Sequence, residues 1–258
     1  MKTSIDVILK EYNLELLEED YDRISVFIDD AKKLNRICAR LNKLTKGIIL
    51  RAINSKEFEK KSCGDVLTLC FPGALKAKYL DLVKWTRSGQ PDYARKAGVN
   101  LAKKSNNSKI LICANGQKFL EELIKGYLLR RYEFSNYKTI EHKGLGSVTL
   151  MLKRPKDFEK PLSETKAVVD GVFFTRNLVN EPANILNTVE FSNRLQELST
   201  IGIDVEILEE KELAELGMNA LLGVGQGSAN PSKVVVMSWK GLSENTKPLA
   251  LVGKGVVF

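Results

Sequence analysis

Lys254 is the side chain of this sequence whose surroundings most clearly indicate chemistry. It lies between Gly253 and Gly255 in the final ten residues, LALVGKGVVF, which are otherwise apolar. An apolar run of this kind predicts a buried strand, which we expect to continue beyond Phe258. Because a buried ammonium group is costly unless a neighbouring group uses it, we predict a functional partner for Lys254.

Carboxylates and the histidine are weaker candidates for chemistry. Asp170, Glu181 and Glu190 are close together in sequence, but surface or helix-capping roles explain them adequately. His142 is the only histidine and lies in the polar turn EHKGLGS, which excludes any site that needs several imidazoles. An ordinary loop position is expected for it.

The cysteines and glycines do not form a clear ligand set either. No CxxC pair occurs, so reduced thiols are expected rather than a zinc site or disulfides. The positions are Cys38, Cys63, Cys70 and Cys113. Gly223, Gly225 and Gly227 form GxGxG after a predicted strand, which is weakly similar to a dinucleotide-binding loop. Because Asn230-Pro231 stands where a helix should begin, no nucleotide site is expected there.

Length and hydropathy exclude several classes of protein. The chain has 258 residues, 43% of them hydrophobic, which is enough for one large core or two modest ones. No apolar run approaches the roughly 18 residues that a membrane span needs, so no membrane association is expected. The N-terminal sequence turns acidic before any signal-like apolar region develops. These features predict a cytoplasmic protein.

Charge divides the sequence into two parts. Residues 161–258 contain 8 Lys/Arg and 12 Asp/Glu, a balance of −4. Since the chain totals 40 and 32, residues 1–160 contain 32 and 20, a balance of +12. The change coincides with a segment that carries Pro155 and Pro161, which indicates a domain boundary. The predicted organisation is an N-terminal domain at 1–155, a linker at 156–165 and a second domain at 166–258.

A balance of +12 in the first part raises the question of nucleic-acid binding. The lysines are dispersed and many alternate with glutamates, and no aromatic-basic alternation marks a surface on which bases stack. A solvated, lysine-rich surface is the preferred interpretation. Nucleic-acid binding remains the weaker alternative.

The first part alternates predicted strands and helices. The strands are RISVFID, DVLTLCF, YLDLVKW, KILICAN and SVTLMLK, and the clearest helices are DYARKAGVNLAKKS and KFLEELIKGYLLRRYEF, with another over 34–44. Alternation of this kind predicts a mostly parallel or mixed sheet covered by helices, a three-layer α/β domain.

The second part predicts a further α/β unit. A helix is expected to start at a half-satisfied capping box at Ser163 and to end near Asn180, before Pro182. The elements expected after it are a helix at 188–202, a strand at 203–208, a helix at 211–218, and strands at 220–228, 233–241 and 249–258. A β-α-β succession with apolar strands predicts a parallel sheet packed on both sides.

Three segments carry a resemblance to a known family. They are TRNLVNEPANIL, then VEILEEKELAELGMNALLGVGQGSANPSKVVVMSW, then LALVGKGVVF. With these motifs the sequence resembles the leucine aminopeptidase (cytosol aminopeptidase) family over about residues 117–258, while residues 1–115 match weakly. Asn187-Thr188 departs from the Thr-Pro type sequence that is common at this place. The resemblance implies an N-terminal α/β domain followed by the start of a mostly parallel α/β/α peptidase domain, incomplete in this chain.

The same resemblance implies the chemistry. Members of the family are two-metal aminopeptidases, using manganese or zinc, that remove N-terminal residues such as leucine from peptides and are normally hexamers. Lys254 maps onto a lysine that is a metal ligand in that family, while the other ligands and the catalytic residues map beyond Phe258. Two dications need several oxygen ligands, which one lysine cannot replace.

The resemblance therefore leads to two expectations of different classes. The first is a truncated or split aminopeptidase that contains no catalytic residue and is inactive alone, being either inert or completed by another chain. The alternative is a non-enzymatic module that binds nucleic acid or full-length subunits through its basic N-terminal domain.

Overall fold

The structure, a computed structural model, describes residues 5–29, 32–86, 88–139, 146–242 and 247–256. His142 lies outside the described residues, so the loop position expected for it stays a prediction. The chain divides into two compact units, Met1–Phe174 (unit 1) and Thr175–Phe258 (unit 2).

Unit 1 alternates strands and helices, as its sequence pattern predicts. Its described strands are β1 (Asp6–Glu11), β2 (Arg23–Ile28), β3 (Val66–Cys70), β4 (Tyr79–Lys84), β5 (Lys109–Cys113) and β6 (Ser147–Leu152). Its described helices are α1 (Arg36–Leu44), α2 (Ile48–Ile53), α3 (Lys56–Glu59), α4 (Pro91–Ser105) and α5 (Leu120–Arg130), and a 3-10 helix covers Leu14–Glu18. Helix α6 (Lys156–Asn180) begins in unit 1, and its residues 175–180 belong to unit 2. Strand β1 and helices α2 and α3 were not predicted from the sequence.

The six described strands of unit 1 form one sheet in the order β1-β6-β5-β2-β4-β3. Every neighbouring pair is parallel except β3 and β4, which are antiparallel. The mostly parallel sheet expected for the N-terminal part is therefore confirmed.

Alternation along the strands supplies a hydrophobic core on each face of this sheet. In β5, Ile110 and Ile112 pack with α4, α5 and α6 on one face. Leu111 and Cys113 pack with α1, α2 and α3 on the other. Because successive side chains of a strand point to opposite faces, a strand buried on both sides reads as an unbroken apolar run, as KILIC does. The α/β fold class and the three layers of unit 1 are confirmed.

Helices α4 and α5 approach each other unusually closely through two glycines. A β-carbon at Gly98 would lie 1.9 Å from the carbonyl oxygen of Leu123, and one at Gly126 would lie 2.3 Å from that of Arg95. Any side chain at either position would force the two helices apart, so these glycines fix the distance between α4 and α5.

A buried ion pair crosses the middle of the sheet. The Arg23 side chain of β2 donates to Asp81 of β4 through Nε and Nη2, each at 2.9 Å from a different carboxylate oxygen. Thr68 Oγ1 donates to the same carboxylate at 2.7 Å, and the guanidinium lies 4.2 Å from the ring centre of Tyr79. Such bidentate pairing satisfies both charges in a site that water does not reach.

Helix α6 begins earlier than the sequence pattern predicts. It starts at Lys156 and contains Pro161, so residues 156–165, expected to be a linker, are helical, and Ser163 lies inside the helix instead of capping it. Phe158, Leu162 and Val169 recur at helical spacing and are buried in the unit 1 core, which outweighs the one backbone hydrogen bond that proline removes. The predicted end near Asn180 is confirmed. The division into domains at 1–155 and 166–258 stays a prediction.

Unit 2 contains shorter elements. They are α7 (Thr188–Gln196), a 3-10 helix (Glu197–Ile201), β7 (Asp204–Leu208), α8 (Glu210–Glu215), α9 (Asn219–Gly225) and β8 (Val234–Ser238). Strands β7 and β8 pair antiparallel, which differs from the parallel pairing expected in this part. Gly202, with φ 92°, ends the helical segment where the sequence predicts its end.

Two strand predictions in unit 2 are wrong. The segment 220–228, expected to be a strand, lies mostly in helix α9, because its alanine and leucines are strong helix formers and no described strand pairs with it. The segment 249–258 was also expected to be a strand. Residues 249–256 have no regular secondary structure, and the final two residues lie outside the described part.

Candidate functional site

Lys254 is exposed, not buried as its apolar surroundings predict. It lies in the irregular segment 247–256, where Val252 is 98% exposed. Among the described residues, no strand pairs with this segment. Its backbone N–H and C=O groups are therefore hydrogen-bonded to water, and its apolar side chains have no sheet to pack on. One local contact is present, since Gly255 approaches the ring of Phe191 on α7. The cost of burying the Lys254 ammonium therefore does not arise in this structure.

Two of the candidate carboxylates come together on an arginine. Arg194 of α7 donates through Nη1 to Glu181 at 2.9 Å and through Nε to Glu190 at 2.7 Å. The Glu181 side chain is only 3% exposed. Hydrogen bonds to Glu190 and then Glu181 raise the pKa of the Arg194 guanidinium above its usual value. This arginine was missed from the sequence, although Glu190 and Arg194 have the i,i+4 spacing of a helical ion pair.

The start of α7 explains why these groups meet. The Asn187 side chain accepts a hydrogen bond from the backbone N–H of Glu190 at 2.9 Å and so caps the helix. This cap fixes Glu190 in the first turn, one turn before Arg194. The residue pair Asn187-Thr188, which departs from the family pattern, therefore has a clear local role as N-cap and first residue of α7.

The remaining sequence candidates do not add donors to a shared site. Asp170 is exposed on α6. Gly223 and Gly225 lie inside α9, so the GxGxG pattern does not form a loop after a strand. None of the four cysteines is in a disulfide. Burial raises the pKa of the Cys38 thiol to about 12 and also raises the pKa of the Cys113 thiol.

The described residues hold no group of three or more His, Cys, Asp and Glu side chains that could bind a metal ion. Two divalent ions would need several oxygen ligands, whereas Glu181 and Glu190 are engaged with Arg194 and Lys254 is a single amine. The donors among the described residues therefore do not fit a two-metal centre. Within the described residues there is also no helix with the length and apolar character needed to cross a membrane.

Comparison with solved structures defines the fold. The fold is similar to that of a tomato leucine aminopeptidase mutant, with a TM-score of 0.75 and 21% identity over 95% of this chain and 52% of that one. It is also similar to the bottromycin maturation enzyme BotP, with a TM-score of 0.63 and 20% identity over 85% of this chain and 46% of that one. At these identities the likeness establishes the α/β fold alone.

Comparison of sequences defines the family. Residues 173–258 match the catalytic domain of the cytosol aminopeptidase family. A probable cytosol aminopeptidase of Dinoroseobacter shibae is 44% identical over 95% of this chain and 50% of the relative, and one of Phytoplasma australiense is 51% identical over 52% of this chain and 27% of the relative. The chain belongs to the cytosol aminopeptidase family. It spans about half the length of the curated relatives that it matches over 95% of its own length.

Proposed function

We propose that these residues derive from a metal-dependent aminopeptidase that releases N-terminal amino acids such as leucine from peptides, and that the 258-residue chain alone does not catalyse this reaction. The observation that carries the first part is the 44% identity to a probable cytosol aminopeptidase over 95% of the chain. The observation that carries the second is the donor set of the residues that the structure describes, which does not fit two metal ions.

The proposal assigns Lys254 as one ligand of a site that uses two manganese or zinc ions. A solved structure of BotP in complex with Mn supports manganese as one choice. An amine binds a metal only in its deprotonated form, so a neighbouring positive charge must favour loss of its proton. When bound, such ions would activate a water and polarise the scissile carbonyl. The further ligands would come from residues outside these 258.

Hydrolysis of a leucyl chromogenic substrate in the presence of manganese tests the proposal. We expect the purified chain to show only background hydrolysis, and the full-length Dinoroseobacter shibae relative, assayed in parallel, to hydrolyse the substrate. Metal-dependent turnover by the 258-residue chain that disappears in Lys254→Ala would contradict inactivity. Absence of activity from the full-length relative would contradict the proposed reaction itself.

The proposed organisation follows the family. Residues 1–155 would be the N-terminal domain and 166–258 the start of the catalytic domain, in a cytoplasmic protein whose full-length form is a hexamer. The name of the relatives, cytosol aminopeptidase, supports the location. Light scattering of a full-length relative would check the hexamer.

Binding to nucleic acid or to full-length subunits is the second candidate function, favoured by the balance of +12 in residues 1–160. Several of the lysines concerned are paired with carboxylates, which weakens a continuous positive surface: Lys10 with Glu19, Lys32 with Glu59, Lys78 with Asp22 and Lys96 with Asp65. A salt-sensitive mobility shift of DNA by the whole chain would support this function. Co-purification with a full-length subunit would support binding to full-length subunits.

A further inference from the structure

Unit 1 contains a crevice at a position where α/β proteins commonly bind ligands. Strands β2 and β5 are parallel neighbours. The chain leaves β2 toward α1 on one face of the sheet and leaves β5 toward α5 on the other. Connections that diverge in this way open a crevice at the carboxyl ends of the strands. A cavity of about 530 Å³ lies at that place, within the size range of small-molecule sites.

The floor of the crevice is aromatic. Phe27, near the end of β2, and Trp85, directly after β4, are both buried and line the cavity. Their rings meet edge to face, with centres 5.2 Å apart and planes at 79°. This rigid contact gives the crevice an apolar base against which a flat or aliphatic part of a ligand can pack.

Hydrogen-bond acceptors lie above this floor. Asp29, directly after β2, and Gln117, after β5, line the cavity and are half-buried. The Gln117 side-chain oxygen Oε1 is buried and accepts no hydrogen bond from the described part of the chain. Leaving a buried acceptor unpaired costs free energy, so a rotation of the Gln117 side chain that pairs this oxygen with a hydroxyl or amino donor of a ligand would be favourable.

The rim of the crevice is positive. Lys33, after β2, and Lys118, after β5, both line the cavity, and both are exposed. Helix α5 starts beside Lys118, and its N-cap residue Phe119, with φ 58°, supplies no side-chain hydrogen bond to the helix end. The first turn of α5 carries two acidic residues, Glu121 and Glu122, of which Glu122 is paired with Arg95 and Lys125. Lysines and helix N–H groups together favour a phosphate.

We propose that this crevice binds a small phosphorylated metabolite that also carries hydroxyl groups, of the size of a mononucleotide or sugar phosphate. Lys33 and Lys118 bind the phosphate at the rim. Asp29 and Gln117 accept hydrogen bonds from the ligand hydroxyls, and the Phe27–Trp85 floor supports the apolar part of the ligand. The site lies in unit 1 and does not depend on the proposed aminopeptidase activity.

Titration calorimetry of the whole chain tests the proposal, with AMP, ribose 5-phosphate, adenosine, inorganic phosphate and leucine as separate probes. We expect saturable 1:1 binding of AMP, of ribose 5-phosphate, or of both. Adenosine and inorganic phosphate, which each lack half of the recognised chemistry, should bind at least roughly ten-fold more weakly. Ribose 5-phosphate binding as tightly as AMP would identify a sugar-phosphate site, and tighter AMP binding would identify a nucleotide site.

Variants locate the binding. Lys118→Ala should weaken binding of the preferred probe by roughly ten-fold, the effect of losing one charge-assisted hydrogen bond. Lys104→Ala is the matched control. It removes the same charge from the last turn of α4, which leads to the amino end of β5, whereas the crevice lies at the carboxyl ends of the strands. It should leave affinity unchanged. Gln117→Leu should weaken binding while raising the melting temperature without ligand, because it removes an unpaired buried acceptor.

Several outcomes would overturn the proposal. One is no saturable binding of AMP or ribose 5-phosphate at millimolar concentration. Another is equal weakening by Lys118→Ala and Lys104→Ala, which would indicate unspecific attraction to a basic surface. Inorganic phosphate or leucine binding as tightly as the phosphorylated sugars would also overturn it. Circular dichroism of each variant verifies that it is folded.

Discussion

Units 1 and 2 both contain apolar segments, but they differ in how much of this apolar sequence is buried. In unit 1 the sheet is covered on both faces, and its strands contribute fully buried side chains to two cores. In the described part of unit 2 the buried apolar side chains are only Leu195 and Leu213, while Trp239 is 78% and Leu251 is 89% exposed. An apolar pattern therefore predicts burial only where a neighbouring element is present to cover it.

Hydrogen exchange should show the largest difference between the two units. Amides of β2 and β5, which pair with strands on both sides, should open only in global unfolding. Those of β7 and β8, which form a two-stranded sheet, should be less protected by about 3 kcal/mol, roughly a hundred-fold in exchange rate. Mass spectrometry of peptic peptides measures this, with helix α4 as an internal reference for unit 1. Equal protection of β5 and β8 would refute the comparison.

Breaking the buried ion pair of unit 1 should have the next largest effect. Asp81→Ala leaves the Arg23 guanidinium buried without its partner, which should lower the free energy of unfolding by about 3–5 kcal/mol. Urea denaturation followed by circular dichroism measures the change. Glu19→Ala, which breaks the exposed pair with Lys10, is the control and should cost about 1 kcal/mol or less. Similar losses in both variants would contradict the role of burial.

Removing the arginine of unit 2 should cost less. Arg194→Ala leaves Glu181 buried without this partner, but the Arg194 side chain is itself partly exposed, so solvent reaches the pair. We expect a loss of about 1–2 kcal/mol, detected as faster proteolysis of unit 2 with unit 1 intact. Arg194→Lys, which keeps the charge but not both hydrogen bonds, should recover part of the loss. A cooperative loss of unit 1 in Arg194→Ala would show that the units are not independent in stability.

The contribution of Glu122 to the pH dependence of stability should be the smallest of these effects. Burial raises the pKa of Glu122, but hydrogen bonds from Lys125 and Arg95 lower it by more. The pKa of Glu122 in the folded protein therefore lies below its usual value. A carboxyl whose pKa is lower in the folded state contributes stability above its unfolded pKa, and this contribution is lost as the pH falls through the folded pKa. Glu122→Gln should therefore flatten the acid limb of the stability curve, by at most about 1 kcal/mol because solvent screens the pair.

The neighbouring carboxylate supplies the control for this measurement. Glu121→Gln removes the same charge from the same turn of α5 without changing the contacts of Arg95 and Lys125. Melting temperatures between pH 3 and 7 (a range chosen about the usual glutamate pKa of roughly 4.3) should separate the two variants. An identical acid limb in both would show that the ion pairs of Glu122 contribute nothing.

Sequence pattern predicted the parts of the fold where local signals and burial agree. The run KILIC is buried on both faces as β5, and the helix before Pro182 ends where proline requires. It did not predict β1, because only some of the positions in this edge strand are apolar and its exposed face gives a weak alternation. Segment 220–228 lies mostly in helix α9 instead of forming the predicted strand, because an apolar run alone does not distinguish a strand from a helix.

The candidate site was less predictable than the fold. The types of its residues could be read from the sequence, and Glu181 and Glu190 do meet in space. Their common partner is Arg194. The i,i+4 spacing predicts its pair with Glu190, but its pair with Glu181 depends on how the chain connects α6 to α7. The exposure of Lys254 could not be predicted, because burial depends on a neighbouring strand, which is a property of tertiary structure. The crevice of unit 1 had no sequence motif, since it arises from the order of strands in the sheet.

The close approach of α4 and α5 has a consequence for that crevice. Because Gly98 and Gly126 lie at the crossing, α5 can pack against α4 in one position only. The start of α5 is therefore fixed relative to the carboxyl ends of the strands. A methyl group at either glycine would tilt or shift the whole helix, and with it Lys118 and Phe119. Ligand affinity in unit 1 would then depend on two residues that no ligand touches.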